Sequence, residues 1–279
     1  MGAGVVVAVL GAALLHATWN AIAHGISDRV VGFALIGLGY TASCGVLVVF
    51  TGFPPRAAWP LILVSAAVHV LYQGALMASY RFGQFSQVYP LARGTAPWVV
   101  TVLSFAVLGQ RIPALELAGV LIVSAGLTSL VFIGGRPGRE ELPALAAAFG
   151  TGLTIAVYTV IDGVGVHRAD PITYAAWMFL LQGPVVPVLA LAVRGRALLP
   201  QLRASAVSGL LGGVVSLVAY GLVLWAQARG ALAPIAALRE TSIIFGVLIG
   251  ALFFRERLGL GRLLAGAVVV GGILLINLP

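Results

Sequence analysis

The stretch ALRETSIIFG, residues 237–246, sits inside ALAPIAALRETSIIFGVLIGALFF, residues 231–254, a run otherwise apolar and long enough to cross a hydrocarbon core of about 30 Å. Arg239 and Glu240 stand side by side well inside it. An ionised side chain facing lipid at such depth costs at least about 2.5–3.5 kcal/mol, and an arginine cannot escape by releasing its proton. The pair therefore faces a partner or a hydrated cavity, which the rest of the chain has to supply.

The composition as a whole is that of a membrane protein. Of 279 residues, 61% are hydrophobic and 9% charged, and the mean hydropathy is +1.09, far from the balance of a soluble globular domain. The net charge of +8 does not signal nucleic acid, because the basic residues, all of them Arg, occur singly or in pairs at the ends of apolar runs. Cys44 is the only cysteine and the four histidines form no ligand motif, so no disulfide, metal or cofactor is expected. The start, MGAGVVVAVLGAALLHATWN, has no basic leader and runs directly into a full-length span, so it is expected to remain as the first helix.

Arg, Pro and Gly breaks divide the chain into ten expected transmembrane helices at 3–24, 30–51, 59–80, 84–109, 112–133, 142–164, 171–193, 204–228, 231–254 and 258–278. The connectors are short, except GGRPGREELP at 134–143, near the midpoint, and RGRALLPQLR at 194–203. The two halves echo one another: PLARGTAPWVV from Pro90 aligns with AALRETSIIFG from Ala236, so that Arg93 pairs with Arg239, Thr95 with Thr241 and Arg111 with Arg257. Leu117-Ala-Gly119 matches Leu264-Ala-Gly266 after one inserted residue. With five spans in each half, residues 1–135 and 136–279, the second enters the bilayer from the opposite side. The expected fold is thus all-α, two inverted five-helix repeats around a central cavity. At 1.5 Å per residue, Arg93 in span 4 and Arg239 in span 9 lie roughly 12–14 Å from opposite faces, both close to the midplane.

Two readings of that charge compete. In one, Arg93, Arg239 and Glu240 form an interior salt-bridge network that holds spans 4 and 9 together. In the other, two arginines against one glutamate leave a positive charge for a ligand carboxylate or phosphate, because an uncompensated buried charge is expensive. Further polar residues recur at helical spacing: His16, Asn20 and His24 with Trp19 in span 1, His69, Tyr72, Gln73 and Tyr80 in span 3, Thr151, Thr154, Tyr158 and Asp162 in span 6, and Ser216, Tyr220 and Gln227 in span 8. Singly, each reads as an interhelical hydrogen-bond partner or interfacial aromatic; jointly they suggest a polar-lined cavity. Glu240, His16, His69 and Asp162 are the candidates for proton coupling, although Asp162 and His24, near helix ends, are expected at headgroup depth. Pro90, Pro97 and Pro234 free backbone carbonyls and permit kinks in spans 4 and 9. Gly209 with Gly213 and Gly246 with Gly250 have the spacing of close helix contacts.

HATWN (16–20), YPLARGTAP (89–97), ALRETSIIFG (237–246) and FFRERLGLGRLLAG (253–266) together resemble the EamA-type members of the drug/metabolite transporter superfamily, in order and over essentially the whole chain. The chain departs from the pattern at VLGQRI (107–112), where Gln110 stands in place of a frequent Glu. The resemblance implies a central cavity lined by helices 1–4 and 6–9, with helices 5 and 10 peripheral. Members of the superfamily often export small metabolites, amino acids among them; others take up sugars or exchange phosphorylated sugars.

The expectation is a multi-pass protein of an inner or plasma membrane, a monomer that exports a small anionic or zwitterionic metabolite by alternating access. The substrate-binding residues are expected to be Arg93, Arg239 and Glu240 with Trp19, Asn20, His69, Tyr72, Gln73, Tyr89, Tyr158 and Tyr220. No glycine-rich phosphate loop with a following Lys-Ser or Lys-Thr occurs, so drive comes from a proton or substrate gradient and not from a nucleotide. The alternatives are an intramembrane enzyme, such as a lipid-modifying transferase, or an accessory protein using the Arg/Glu network structurally; no serine has a convincing base. Connectors 1, 3, 5, 7 and 9 carry Arg29, Arg81, Arg136, Arg139, Arg194, Arg196, Arg203, Arg255, Arg257 and Arg262, against Arg56, Arg111, Arg168 and Arg229 in the others. The positive-inside rule would place the termini outside; the resemblance implies cytoplasmic termini.

Overall fold

Short capping signals start the helices where the sequence turns polar. Asp28 accepts from the backbone N–H groups of Val30 and Val31, and Asp170 from those of Ile172 and Thr173 with Pro171 in the first turn. Gly52 and Gly109 follow α2 and α4 with positive φ, which a residue bearing a Cβ adopts only under strain. The computed structural model describes residues 1–82, 85–132, 137–253 and 259–277. Its helices are α1 (Ala3–Gly25), α2 (Arg29–Thr51), α3 (Trp59–Phe82), α4 (Phe85–Leu108), α5 (Ala114–Ser129), α6 (Leu142–Gly165), α7 (Pro171–Gln182), α8 (Val185–Arg194), α9 (Leu198–Ala204), α10 (Ala206–Gln227), α11 (Leu232–Arg239), α12 (Ser242–Phe253) and α13 (Leu260–Asn277).

The first six and the eighth expected spans correspond to α1–α6 and α10. Span 7, expected as one helix over 171–193, is α7 followed by α8, because Pro184 has no N–H to continue the ladder. The connector at 194–203 folds a further short helix, α9. Span 9 is also interrupted, at Glu240 and Thr241. There the N–H groups of Glu240 and Thr241 reach back only three residues, to Ala237 and Leu238, and the Thr241 hydroxyl also bonds the Leu238 carbonyl at 2.8 Å. The Arg-Glu pair is therefore the joint between two half-helices. Among the described residues eight stretches are long and apolar enough to cross a membrane, and a shorter apolar helix covers Leu263–Ile276. The expected RER turn after span 9, Arg136, and the side chains of Arg81 and His24 lie outside what is described.

Packing joins the first part of the chain to the second. α3 lies along α6, α1 along α10, α2 along α10 and α7, and α4 along α6 and α5. α5 pairs with α13, where Gly119 and Gly272 let the backbones touch: a Cβ at Gly119 would meet the Gly272 carbonyl at 2.7 Å, and one at Gly272 the Gly119 carbonyl at 2.8 Å. Gly209 and Gly213 do seat a close contact, against Leu35 and the Ile36 carbonyl of α2. A Cβ at Gly246 would meet nothing within 4 Å among the described residues. The exterior is apolar, with Phe50 81% and Val193 85% exposed, whereas Arg93, Arg239, Glu240, Asp162, Gln73 and Gln182 are buried. That inside-out distribution is the one a lipid solvent imposes.

Candidate functional site

The α11–α12 joint explains why Arg and Glu are adjacent. Arg239 is the last residue of α11, where the carbonyl end of a helix favours a cation, and Glu240 precedes α12, where the amide end favours an anion. Each charge is worth about 0.3–1 kcal/mol in that position, up to about 2 when partly buried. From α4, Arg93 Nε approaches Glu240 Oε2 at 2.7 Å and Arg93 Nη2 donates to Ser242 Oγ at 3.0 Å. Arg93 and Arg239 are 3% exposed and Glu240 fully buried. The cluster therefore carries two positive charges and one negative, with Arg93 and Glu240 paired. Arg239 has no carboxylate partner among the described residues; its guanidinium reaches the Tyr158 hydroxyl, and its Nε has no hydrogen-bond partner there.

Beside this cluster lies a cavity of about 70 Å³, walled by α1, α2, α3, α6, α7 and α10. A single water needs about 10–15 Å³ measured in this way, so the cavity holds several waters or a small solute. It is lined by His16, Trp19, Phe33, Ile36, Tyr40, His69, Tyr72, Gln73, Tyr158, Phe179, Gln182, Ser216 and Tyr220. Its aromatic wall is tightly assembled: the His69 ring stacks on Tyr158 at 3.9 Å, and Tyr72 and Tyr220 meet Tyr158 edge-on at 5.6 and 5.9 Å. Gln73 Nε2 donates to Tyr40 Oη at 3.3 Å and to Gln182 Oε1 at 3.4 Å, fastening α3 to α2 and α7. Trp19 Nε1 donates to His16 Nδ1 at 3.2 Å, which leaves Nε2 to carry the ring proton of a neutral His16.

Of the residues expected at a substrate site, Trp19, His69, Tyr72, Gln73, Tyr158 and Tyr220 line this cavity, as does His16. Arg93, Arg239 and Glu240 stand behind its wall, with Tyr158 between Arg239 and the open space. Asn20 turns from the cavity to donate to the His16 carbonyl at 2.7 Å, and Tyr89 lies near Arg93 and Ser242. Asp162 lies near the end of α6, as expected, and is fully buried, because Tyr174 and Tyr220 close over its carboxylate. Gln227 is buried away from the cavity. Tyr40 and Gln182 were not singled out by sequence reasoning, although each is a rare polar side chain within an apolar span and could have been found on that ground. Among the described residues no three His, Cys, Asp or Glu side chains gather to hold a metal.

At the membrane faces, Arg194 pairs with Asp28, tying the end of α8 to the start of α2. The Arg194 hydrogen bond holds the Asp28 carboxyl below its usual range, and the caps from Val31 and Val30 add to this. At the opposite end, Trp177 Nε1 donates to the Gly52 carbonyl at 2.7 Å and packs on Phe53 and Trp59, a placement suited to an aromatic belt.

An outer surface made for lipid and a polar cavity enclosed by helices from both parts of the chain are those of a multi-pass integral membrane protein. Residues 142–278 match the EamA-like transporter family. A solved structure described only as "Crystal structure of protein" superposes with a TM-score of 0.82 over 99% of this chain and 97% of its own, at 17% identity, which shows the shared fold alone. No curated protein matches the sequence.

Proposed function

We propose that this protein is a secondary active transporter that exports a small anionic or zwitterionic metabolite, such as an amino acid or a related compound, by alternating access. Residues 1–135 and 136–279 are its two inverted repeats. In support, α3 packs on α6 as α1 packs on α10, the exchange that a two-fold axis relating span 1 to span 6 and span 3 to span 8 would produce, while α5 pairs with its own counterpart α13. The observation that carries the reading is the cavity walled from both halves beside an interrupted helix, with a buried arginine donor left over at the interruption. Transporters place substrate sites at such half-helix ends near the midplane.

In this reading the cavity residues Trp19, Tyr72, Gln73 and Tyr220 hold the body of the solute, and its anionic group is drawn toward Arg239 through Tyr158. Arg93, Glu240 and Ser242 fix the joint, with Tyr89 beside Arg93 and Asn20 orienting His16. A small displacement at Glu240–Thr241 would bring Arg239 past Tyr158 into the cavity. Ser65, whose hydroxyl lies 3.2 Å from His69 Nδ1, does not line the cavity, which favours transport over catalysis. The protein works without nucleotide, and one chain suffices because the cavity is complete within it.

The test is efflux from liposomes holding purified protein and loaded with a panel of labelled amino acids, small organic acids and neutral sugars. The reading requires saturable efflux of at least one amino acid or organic acid. Folded protein that moves only neutral sugars, or none of the panel, contradicts it.

A further inference from the structure

Asp162 is held in a way that Glu240 is not. Its Oδ1 accepts from the Tyr174 hydroxyl at 2.9 Å, and its Oδ2 accepts from the Tyr220 hydroxyl. Among the described residues no cation comes within ion-pairing distance of it. Its surroundings are set by every neighbouring helix: Ser65 and His69 on α3, Tyr174 on α7, Tyr220 on α10 and Tyr158 one turn earlier on α6 itself. Beyond Tyr158 stand Arg239 on α11 and Arg93 on α4.

Proton counting at this carboxyl gives only two arrangements. An ionised carboxylate is acceptor-only and takes both tyrosine protons. Once a proton adds to Oδ2, that oxygen becomes an O–H donor with weak remaining acceptor capacity, and the bond from a donating hydroxyl is no longer charge-assisted. One tyrosine can then turn to accept, or leave. Tyr174 is fully buried and packed in the α7 core, whereas Tyr220 lines the cavity and has open space beside it. Tyr220 is therefore the ring that responds. Only an O–H bond forms, the proton coming from water, and nothing is oxidised or reduced.

The position of this contact gives the response a consequence. Asp162 lies in the last turn of α6, at the membrane face where α3 and α7 begin. The cavity lining reaches in the other direction to Phe33, in the second turn of α2 and roughly 6 Å from that helix's start. The Asp162–Tyr220 bond thus closes the far end of the cavity, and His69 and Tyr158 continue the same wall toward Arg239.

We infer that Asp162 is the binding site of the coupling proton, and that its bond to Tyr220 is the latch through which protonation opens the α6–α10 end of the cavity. Ionised, it keeps that end shut; protonated, it loses the charge-assisted bond that holds Tyr220 in the wall the solute touches. The inference rests on the transporter reading for its consequence, while the proton exchange itself can be tested without any solute.

Two measurements on the full-length protein separate the possibilities. Infrared difference spectra of the purified protein, recorded as the pH is lowered, should show a growing protonated-carboxyl band. The band should be missing in Asp162→Asn, and its midpoint should rise in Tyr220→Phe, which removes one donor from the carboxylate; that second variant decides the matter should Asp162→Asn not fold. In liposomes, a pH step of one unit should drive up to about tenfold accumulation of a transported amino acid, the equivalent of about 1.4 kcal/mol per proton. Asp162→Asn should abolish accumulation yet keep exchange of the same solute at equal pH. A carboxyl band indifferent to both substitutions, or Asp162→Asn accumulating as wild type does, overturns the inference. If wild type exchanges no solute, the transporter reading fails, and the infrared titration still decides whether Asp162 takes up a proton.

Discussion

At the α11–α12 joint the Glu240 carboxylate is met by the Arg93 guanidinium at 2.7 Å, whereas near the end of α6 the Asp162 carboxylate is met, among the described residues, by the hydroxyls of Tyr174 and Tyr220. Both carboxylates are fully buried. A carboxylate paired with a guanidinium from another helix holds the two helices together. One held by hydroxyls has a second arrangement within reach of a single proton. The difference separates scaffold from switch in an interior where burial alone would make the two look alike.

The sharpest way to break the comparison is at the joint. Glu240→Gln leaves the buried Arg93 without its anion, and the expected loss is about 3–5 kcal/mol, read as a fall in melting temperature and folded yield in detergent. A variant as stable as wild type would show that water or lipid reaches the cluster. Packing away from both regions should matter next. Gly213→Val forces a side chain against the Ile36 carbonyl at the α2–α10 contact; overpacking of about 1–3 kcal/mol should lower the melting temperature and alter transport only through folded yield.

Tyr158→Phe should sharpen the contrast from the cavity side. It keeps the ring stacked on His69 and removes the hydroxyl beside Arg239, so the melting temperature should change by the equivalent of about 1 kcal/mol or less. Transport of a carboxylate-bearing solute should nevertheless fall about tenfold in kcat/KM. An unaltered kcat/KM in liposome uptake would remove Tyr158 from the path of the anion.

The smallest effect belongs to Asp28 and Arg194, each 34% exposed. Arg194→Gln should cost about 0.2–1 kcal/mol after solvent screening. The folded-state pKa of Asp28 is depressed by Arg194, so the pair's contribution is complete above the unfolded carboxylate value of about 3.9 and is lost as pH falls through the lower folded value. Denaturation curves of wild type and Arg194→Gln should therefore converge in acid and remain parallel above about pH 5.

Much of this organisation is written in the sequence through scarcity. Charge is so rare that Arg93 and Arg239 could be aligned across the chain, and polar stripes on spans 1, 3, 6 and 8 led to most of the cavity wall, including His69, Tyr158 and Tyr220. The interruption at Glu240–Thr241 was not legible, because its cause is a choice among carbonyl partners by Thr241 and its neighbours, and no proline or glycine marks the spot. The enclosure of Asp162 was not legible for a related reason: distance along α6 places it near an end, but Tyr174 from α7 and Tyr220 from α10 arrive only through tertiary packing. Tyr40 and Gln182 escaped notice because each is isolated in its own span and gains meaning only through Gln73 on a third helix.

The unequal roles assigned to the two arginines allow the most direct test. Arg239→Gln and Arg93→Gln should be compared for folded yield and for efflux of an amino acid from liposomes. Arg239→Gln removes the surplus charge and leaves the Arg93–Glu240 pair intact, so it should fold at wild-type yield and lose efflux, whereas Arg93→Gln should lose yield first. Equal loss of folding in both, or Arg239→Gln protein that exports as wild type does, would contradict the account.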